Sequence, residues 1–214
     1  MPVPNPTPIY RFIHVDNLNI CLRRGGLYAP NHTPDDGLVY RTIHNVDIQN
    51  RRRIYRIPCG PRGVIHDYVS FYFGQRSPML LQLQTGQVEG YNEGQEPLIY
   101  LVSTAQAVRD AEIGFVFSDG HGIAVFTQWF DDLVDLNQVD WRAVQARYWA
   151  DTPQAMDRQR RKQAEFLVHQ FCPWELILEI AVVNAAVRDR VRDILQGVPT
   201  VYRRPVRVRP NWYY

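Results

Sequence analysis

Strand-length apolar runs recur along this chain, each separated from the next by a single helical pattern or a turn signal, and that mixture points to an α+β fold. Residues 9–14 read as a strand, followed by a helix in which Val15, Leu18 and Leu22 recur at helical spacing until Gly25 and Gly26 stop it. Residues 47–53 read as a short helix with arginines spread around its surface. The alternating aromatic run 68–73 reads as a strand, after which Ser77 caps a helix that has Pro78 in its first turn and Gly86 at its end. Residues 98–102 form the next strand, with Ser103 as cap of a helix through Ala111. The segments 115–117 and 123–126, joined by the turn 118–122, predict a hairpin. Residues 141–149 predict a helix, 165–168 and 177–183 strands, and 184–195 an amphipathic helix. The expected architecture is one or two small sheets with peripheral helices.

With 214 residues, 25.0 kDa and 45% hydrophobic residues, the chain is long enough for one well-buried domain and short for two, so residues 1–214 are expected to form a single domain. The segment 29–45, rich in Pro, Asn, Asp and Gly, predicts a functional or mobile loop.

The net charge of +2 hides an uneven distribution. Of 24 basic residues only Lys162 is a lysine. Residues 41–66 hold six arginines against one acid, Asp47, and residues 202–214 hold four arginines and no acid. Arginine presents a planar, always-charged fork suited to phosphate and to stacking on bases, so such clusters on a near-neutral chain point to a local polyanion site. Cys21, Cys59 and Cys172 are widely spaced and match no metal-ligand or redox pattern, which fits small buried side chains in a reducing compartment. The opening Met-Pro-Val-Pro-Asn-Pro lacks the parts of a signal peptide, and no apolar run approaches membrane-spanning length; the expectation is a cytoplasmic protein with no membrane partner and no metal.

The dinucleotide, P-loop, serine-hydrolase and zinc-protease motifs are all missing. What stands out instead is the run from Arg158 to Val168, a cationic segment that passes directly into an apolar strand with Glu165 at the junction. Phe166, Leu167 and Val168 can bury in a sheet while the preceding cations stay solvated or meet anions. Glu165 would then lie at the mouth of a cleft, kept ionised by nearby positive charge. His14, the arginines 51–53, the block from His66 to Phe73, Met79 and His121 between two glycines complete the set of unusual positions.

Four of these segments, Ile9-Tyr-Arg-Phe-Ile-His-Val-Asp-Asn-Leu18, Asp47-Ile-Gln-Asn-Arg-Arg52, His66-Asp-Tyr-Val-Ser-Phe-Tyr-Phe73 with Ser77-Pro-Met79, and Gln163-Ala-Glu-Phe-Leu-Val168, resemble in content and order the motifs of the DarT family, bacterial toxins that ADP-ribosylate single-stranded DNA. The resemblance covers nearly the whole chain and implies an ADP-ribosyltransferase fold without a Rossmann motif. It implies NAD as donor of ADP-ribose rather than of hydride, and thymidine as the acceptor, with guanosine, RNA or protein as alternative acceptors and a non-catalytic nucleic-acid module as the alternative from another class. It implies a toxin paired with a macrodomain antitoxin.

Residue by residue, the resemblance implies that His14 and Asn17 line the NAD site, His14 holding one of its two riboses, and that Tyr72 and Met79 contact NAD. It implies that Glu165 and Arg52 are catalytic, with Arg51 as the other choice of register. His121 matches a position near the DNA base, and the segment before Glu165, with Arg158 and Arg161, matches the loop that selects the target; Arg51 and Trp149 are the further expected DNA contacts. These residue types suit the chemistry. Breaking the bond between nicotinamide and ribose builds positive charge on the sugar, which a carboxylate stabilises. A thymine ring nitrogen attacks only once its proton is drawn away, work for Arg52 or His121.

Overall fold

The strand expected over residues 9–14 lies inside a sheet far wider than the local patterns implied. The computed structural model describes residues 1–214 and contains, in chain order, β1 (Pro8–His14), α1 (Leu18–Arg23), β2 (Gly26–Tyr28), α2 (Val46–Arg52), β3 (Tyr68–Tyr72), α3 (Pro78–Gln84), β4 (Leu98–Thr104), α4 (Ala105–Asp110) and β5 (Phe115–Ser118). There follow β6 (Trp129–Phe130), α5 (Trp141–Gln145), α6 (Arg158–Lys162), β7 (Glu165–His169), β8 (Phe171–Pro173), β9 (Glu179–Val182), α7 (Ala185–Gln196) and β10 (Val206–Val208). Eight strands form one sheet in the order β10-β9-β4-β1-β3-β7-β5-β6, and β2 pairs with β8 in a separate ribbon. The α+β class holds. The size of the sheet was hidden because its outermost strands, β6 and β10, are two and three residues long and are recruited by partners distant in sequence.

Alternation explains how the sheet is buried on both faces. In β1, Ile9 and Ile13 enter the main core on one side, while Tyr10 and Phe12 enter a second cluster with Tyr100 and Tyr213 on the other. β7 does the same, with Phe166 and Val168 in the main core and Leu167 on the opposite side. Each such residue, fully removed from water, contributes about 1.5–3 kcal/mol. The β3–β7 ladder sets Tyr72 opposite Glu165, so these two share a face with Ser70 and Leu167.

Several boundaries differ from expectation, each for a visible reason. The cap of α4 is Thr104, whose hydroxyl accepts from the Ala107 N–H, because β4 extends through Ser103 to pair along its full length with β1. The hairpin partner of β5 is β6 rather than 123–126. Asp119 closes the neck of a longer loop, its N–H donating to the Gln128 carbonyl (3.2 Å) and its Oδ1 accepting from the Gln128 N–H (2.9 Å). The helix expected over 141–149 stops at Gln145, where Ala146 turns extended. Lys162 is buried and caps that end, its ammonium donating to the carbonyls of Val144 (2.6 Å) and Ala146 (3.0 Å). The expectation that the cations before Glu165 all stay solvated or meet anions therefore fails for Lys162. Burial pulls its pKa down to about 8.

Candidate active site

Glu165 is the first residue of β7 and is buried at the edge of the apolar ladder that follows it. Across from it stands α2, whose N-cap Asn45 accepts from the Ile48 N–H and whose last turn carries Arg51 and Arg52. Neighbouring helix positions point about 100° apart. Arg52 therefore turns inward while Arg51 stays exposed. The Arg52 guanidinium meets the Glu165 carboxylate in a two-pronged pair, Nη1 to Oε1 at 2.9 Å and Nη2 to Oε2 at 2.7 Å, and Nη2 also donates to Ser70 Oγ at 2.8 Å. Three of its five N–H groups are engaged, which leaves two free to meet a ligand.

The loop after β5 completes the arrangement. Gly122 donates its backbone N–H to Glu165 Oε1 at 3.0 Å, and Ser118 Oγ accepts the Glu165 N–H at 3.2 Å while donating to the Gly120 carbonyl. Burial by itself would raise the Glu165 carboxyl. The charge and hydrogen bonds of Arg52, with smaller help from the Gly122 N–H, outweigh it and hold the group below the ordinary carboxylate value. The buried pair is thus ionised, and its forked geometry is the arrangement in which such a pair survives desolvation.

Arg52 and Glu165 lie on the wall of a cavity of about 830 Å³, within the usual size range of ligand sites, and Asn17, Tyr72, Met79 and His121 line it too. Tyr72 donates to Met79 Sδ at 3.8 Å and stacks on Phe12, so the two predicted NAD contacts form one apolar patch. Asn17 works through the backbone. Its Nδ2 donates to the Arg41 carbonyl (2.9 Å) and its Oδ1 accepts the Arg41 N–H (2.7 Å), a reciprocal clamp on the loop 29–45. The Arg41 side chain pairs with Asp16 and Glu93, so the loop is strapped across the opening. His121 faces the cavity from the other side. Burial keeps its pKa below 6.5, leaving a neutral imidazole at neutral pH that can accept a proton.

Other expected site residues are not among those that line the cavity. His14 is buried on the face of β1 opposite to Ile9 and Ile13, the face it shares with Phe12 and, across the ladder, Tyr72. Its Nδ1 accepts from the Asp16 N–H (3.2 Å), and its Nε2 lies 3.6 Å from Glu93. Trp149 is tied to the C-terminal segment, its indole N–H donating to Tyr214 Oη at 2.7 Å. Arg158 and Arg161 face away from the cavity toward a surface depression between α5 and α6, whereas Gln159 and Gln163 of the same helix reach the cavity wall.

Two residues of the site went unnoticed in the sequence. Ser70, a small hydroxyl inside the aromatic block, receives Arg52. Arg11 sits on β1 with Ile9 and Ile13 as its neighbours on the same face, and a cation at such an inward position is itself a signal. Of the three arginines on the cavity wall, Arg52 pairs with Glu165 and Arg41 with Asp16 and Glu93, while Arg11 has no carboxylate. Its Nη1 donates to the Ser70 carbonyl, its Nε has no partner, and burial works against its charge. A buried guanidinium of this kind suits an anionic ligand such as a diphosphate.

A mixed fold without a Rossmann motif, with an Arg–Glu pair on the wall of a nucleotide-sized cavity, fits the ADP-ribosyltransferase class, and the matches to known proteins place the chain there. A family model described as ssDNA thymidine ADP-ribosyltransferase, DarT, matches residues 10–214. A DNA ADP-ribosyl transferase of Thermus sp. (strain 2.9) is 47% identical over 211 residues, spanning 99% of this chain and 98% of the relative. The solved structure of Thermus sp. 2.9 DarT in complex with ADP-ribosylated ssDNA superposes with a TM-score of 0.93 at 46% identity, covering 100% of this chain and 99% of that one. The same Thermus enzyme in complex with NAD+ superposes with a TM-score of 0.89 at 45% identity and covers 100% of both chains. The chain belongs to the DarT family.

Proposed function

We propose that this protein, acting as one domain over residues 1–214, transfers ADP-ribose from NAD to a thymidine base in single-stranded DNA. The Arg52–Glu165 pair on the cavity wall carries the reading, and the family membership gives it its substrate class. NAD brings a ribose whose bond to nicotinamide breaks with build-up of positive charge on the sugar. The residues around it do four things. Arg11 offsets the diphosphate charge, and Tyr72 with Met79 offers an apolar surface. Asn17 holds the loop 29–45 over the opening through the Arg41 backbone. Glu165, ionised and fixed by Arg52 and the Gly122 N–H, sets a negative charge against the sugar.

The acceptor nitrogen of thymine must lose its proton before it bonds to the sugar carbon that nicotinamide leaves. His121, neutral and on the cavity wall, accepts that proton, and the two free N–H groups of Arg52 stabilise the negative charge left on the base. A single strand presents its base without the cost of unpairing, which favours it over a duplex. The exposed arginines 51 and 161 and the half-buried Arg158 meet the phosphate backbone. His14, whose Nδ1 accepts the Asp16 N–H and whose buried Nε2 has no hydrogen-bond partner, is left with a ring nitrogen for a ribose hydroxyl of NAD. Such a modification of DNA fits a cytoplasmic toxin held in check by a macrodomain antitoxin.

The test is incubation of the purified protein with NAD and oligonucleotides that contain or lack thymidine, followed by mass analysis of the DNA and of the protein. A gain of one ADP-ribose on thymidine-containing single strands is expected, and its loss in Glu165→Ala. Labelling of protein alone, or of oligonucleotides without thymidine, overturns the reading.

A further inference from the structure

We propose that Phe126 is a stacking platform for the nucleobase next to the target thymidine, an inference that rests on the single-stranded DNA reading above. Val125 and Phe126 are 88% and 82% exposed at the tip of the loop 119–128, an adjacent apolar pair that touches no core. Exposed apolar pairs on disordered segments are unremarkable, but this loop is fixed at every level. Asp119 and Gln128 close its neck. Inside it, the His121 carbonyl accepts from the Ala124 N–H (2.9 Å) and from Thr127 Oγ1 (2.7 Å), and the Ala124 carbonyl accepts the Thr127 N–H (3.1 Å).

Arg160 braces the loop from α6. Its fork reaches both Asp119 oxygens and Thr127 Oγ1, and its carbonyl accepts the His121 N–H at 2.9 Å. Gly120 lies flat on this arginine; a Cβ there would stand 2.4 Å from Arg160 Nη1. The base of the same loop donates the Gly122 N–H to Glu165 and sends His121 to the cavity wall. Phe126 is one Cα step, about 3.8 Å, from Thr127, whose hydroxyl holds the His121 carbonyl. An aromatic ring is thus presented to solvent on the same loop that sends His121 to the cavity wall and the Gly122 N–H to the carboxylate.

A strand that delivers one base into the cavity leaves its neighbours unstacked at the rim, and an aromatic face is what such bases bind without regard to sequence. The helix α6 that braces the loop also carries Arg158, which is bound only to the Tyr148 carbonyl, at 3.5 Å, and meets no carboxylate. The occupant is accordingly a nucleobase of the substrate strand, not a protein segment.

The experiment uses single-stranded oligonucleotides in which the fluorescent base 2-aminopurine flanks one thymidine on either side, titrated with the full chain in the absence of NAD. Wild type is expected to quench the probe at one of the two positions. Phe126→Ala should abolish that quenching and weaken oligonucleotide binding about tenfold, with Phe126→Trp restoring both and Phe126→Leu remaining close to Ala. Quenching left intact in Phe126→Ala overturns the proposal. So does full rescue by Leu, which would mark a purely apolar contact such as that of a protein partner. Because NAD is absent, a negative result here stands apart from a failure of the transferase reading, which wild-type labelling measures on its own.

Discussion

Replacing Glu165 by Gln removes a charge without removing volume, and the consequences can be worked from the contacts. The Gly122 N–H still finds a side-chain oxygen, so the loop keeps its anchor. Arg52, however, is only 8% exposed and would face a neutral amide where it now faces a carboxylate at 2.7 and 2.9 Å. Breaking one side of a buried pair costs about 3–5 kcal/mol, because the survivor is left as an uncompensated charge. Arg52 borders an open cavity that water can enter, which places this case at the lower end, about 3 kcal/mol. At ~2–4 °C per kcal/mol for a chain of this size, the melting temperature should fall by about 6–12 °C. Replacing both partners by apolar residues of similar bulk, Arg52→Met with Glu165→Leu, removes the stranded charge and should return the melting point close to wild type or above it. Both variants should be inactive in oligonucleotide labelling. Calorimetry and labelling on the same preparations separate the two effects. A Glu165→Gln protein that melts with wild type would show that Arg52 is not compensated by this carboxylate, and a double variant that still labels DNA would remove the pair from the chemistry.

Four further outcomes follow from other contacts. Asn17→Ala cuts both bonds to the Arg41 backbone, at about 1 kcal/mol each, so KM for NAD should rise about 10- to 30-fold with kcat less affected; an unchanged KM would mean the loop needs no clamp. Gly122→Ala places a methyl 3.1 Å from Glu165 Oε1 and 3.3 Å from both Ile65 Cδ1 and the Trp129 ring, so labelling should drop sharply at near-normal folding; full activity would show that the loop yields freely. Because Arg52 holds the Glu165 carboxyl below its unfolded value of 4.5, the stability it contributes is complete above that pH and drains away as pH falls toward the depressed value, so the melting point of wild type should fall relative to that of the double apolar variant only in that acid window. His121, held below 6.5 by burial, should give the transfer rate a limb that falls as pH drops through its depressed value, and His121→Asn should lack that limb.

Much of this was legible in the chain itself, because it depended on neighbours within a few residues. Alternation in 9–14, 68–73 and 165–168 marked the central strands, and Ser77-Pro78 marked the start of a helix, as local sterics and capping require. The passage from cations to an apolar ladder singled out Glu165, and the order of four motifs pointed to the family. What local pattern could not express was pairing at a distance. Arg51 and Arg52 are the same residue type one position apart, and only the seating of α2 against β7 turns one inward to the carboxylate 113 residues away. Strand parity put His14 on the face of Tyr10 and Phe12 and Arg11 on the other, but only the tertiary structure brings the Arg11 guanidinium to the Ser70 carbonyl and the cavity wall. Residues 115–117 and 123–126 read as a simple hairpin, whereas the Asp119 side chain on Gln128 and the Arg160 fork, reaching Asp119 from 41 residues away, close the neck of a longer loop. A chain specifies its periods through short-range geometry. Which charges meet inside it is decided by the packing of elements far apart in sequence, where burial makes an unpaired charge costly enough to select one partner.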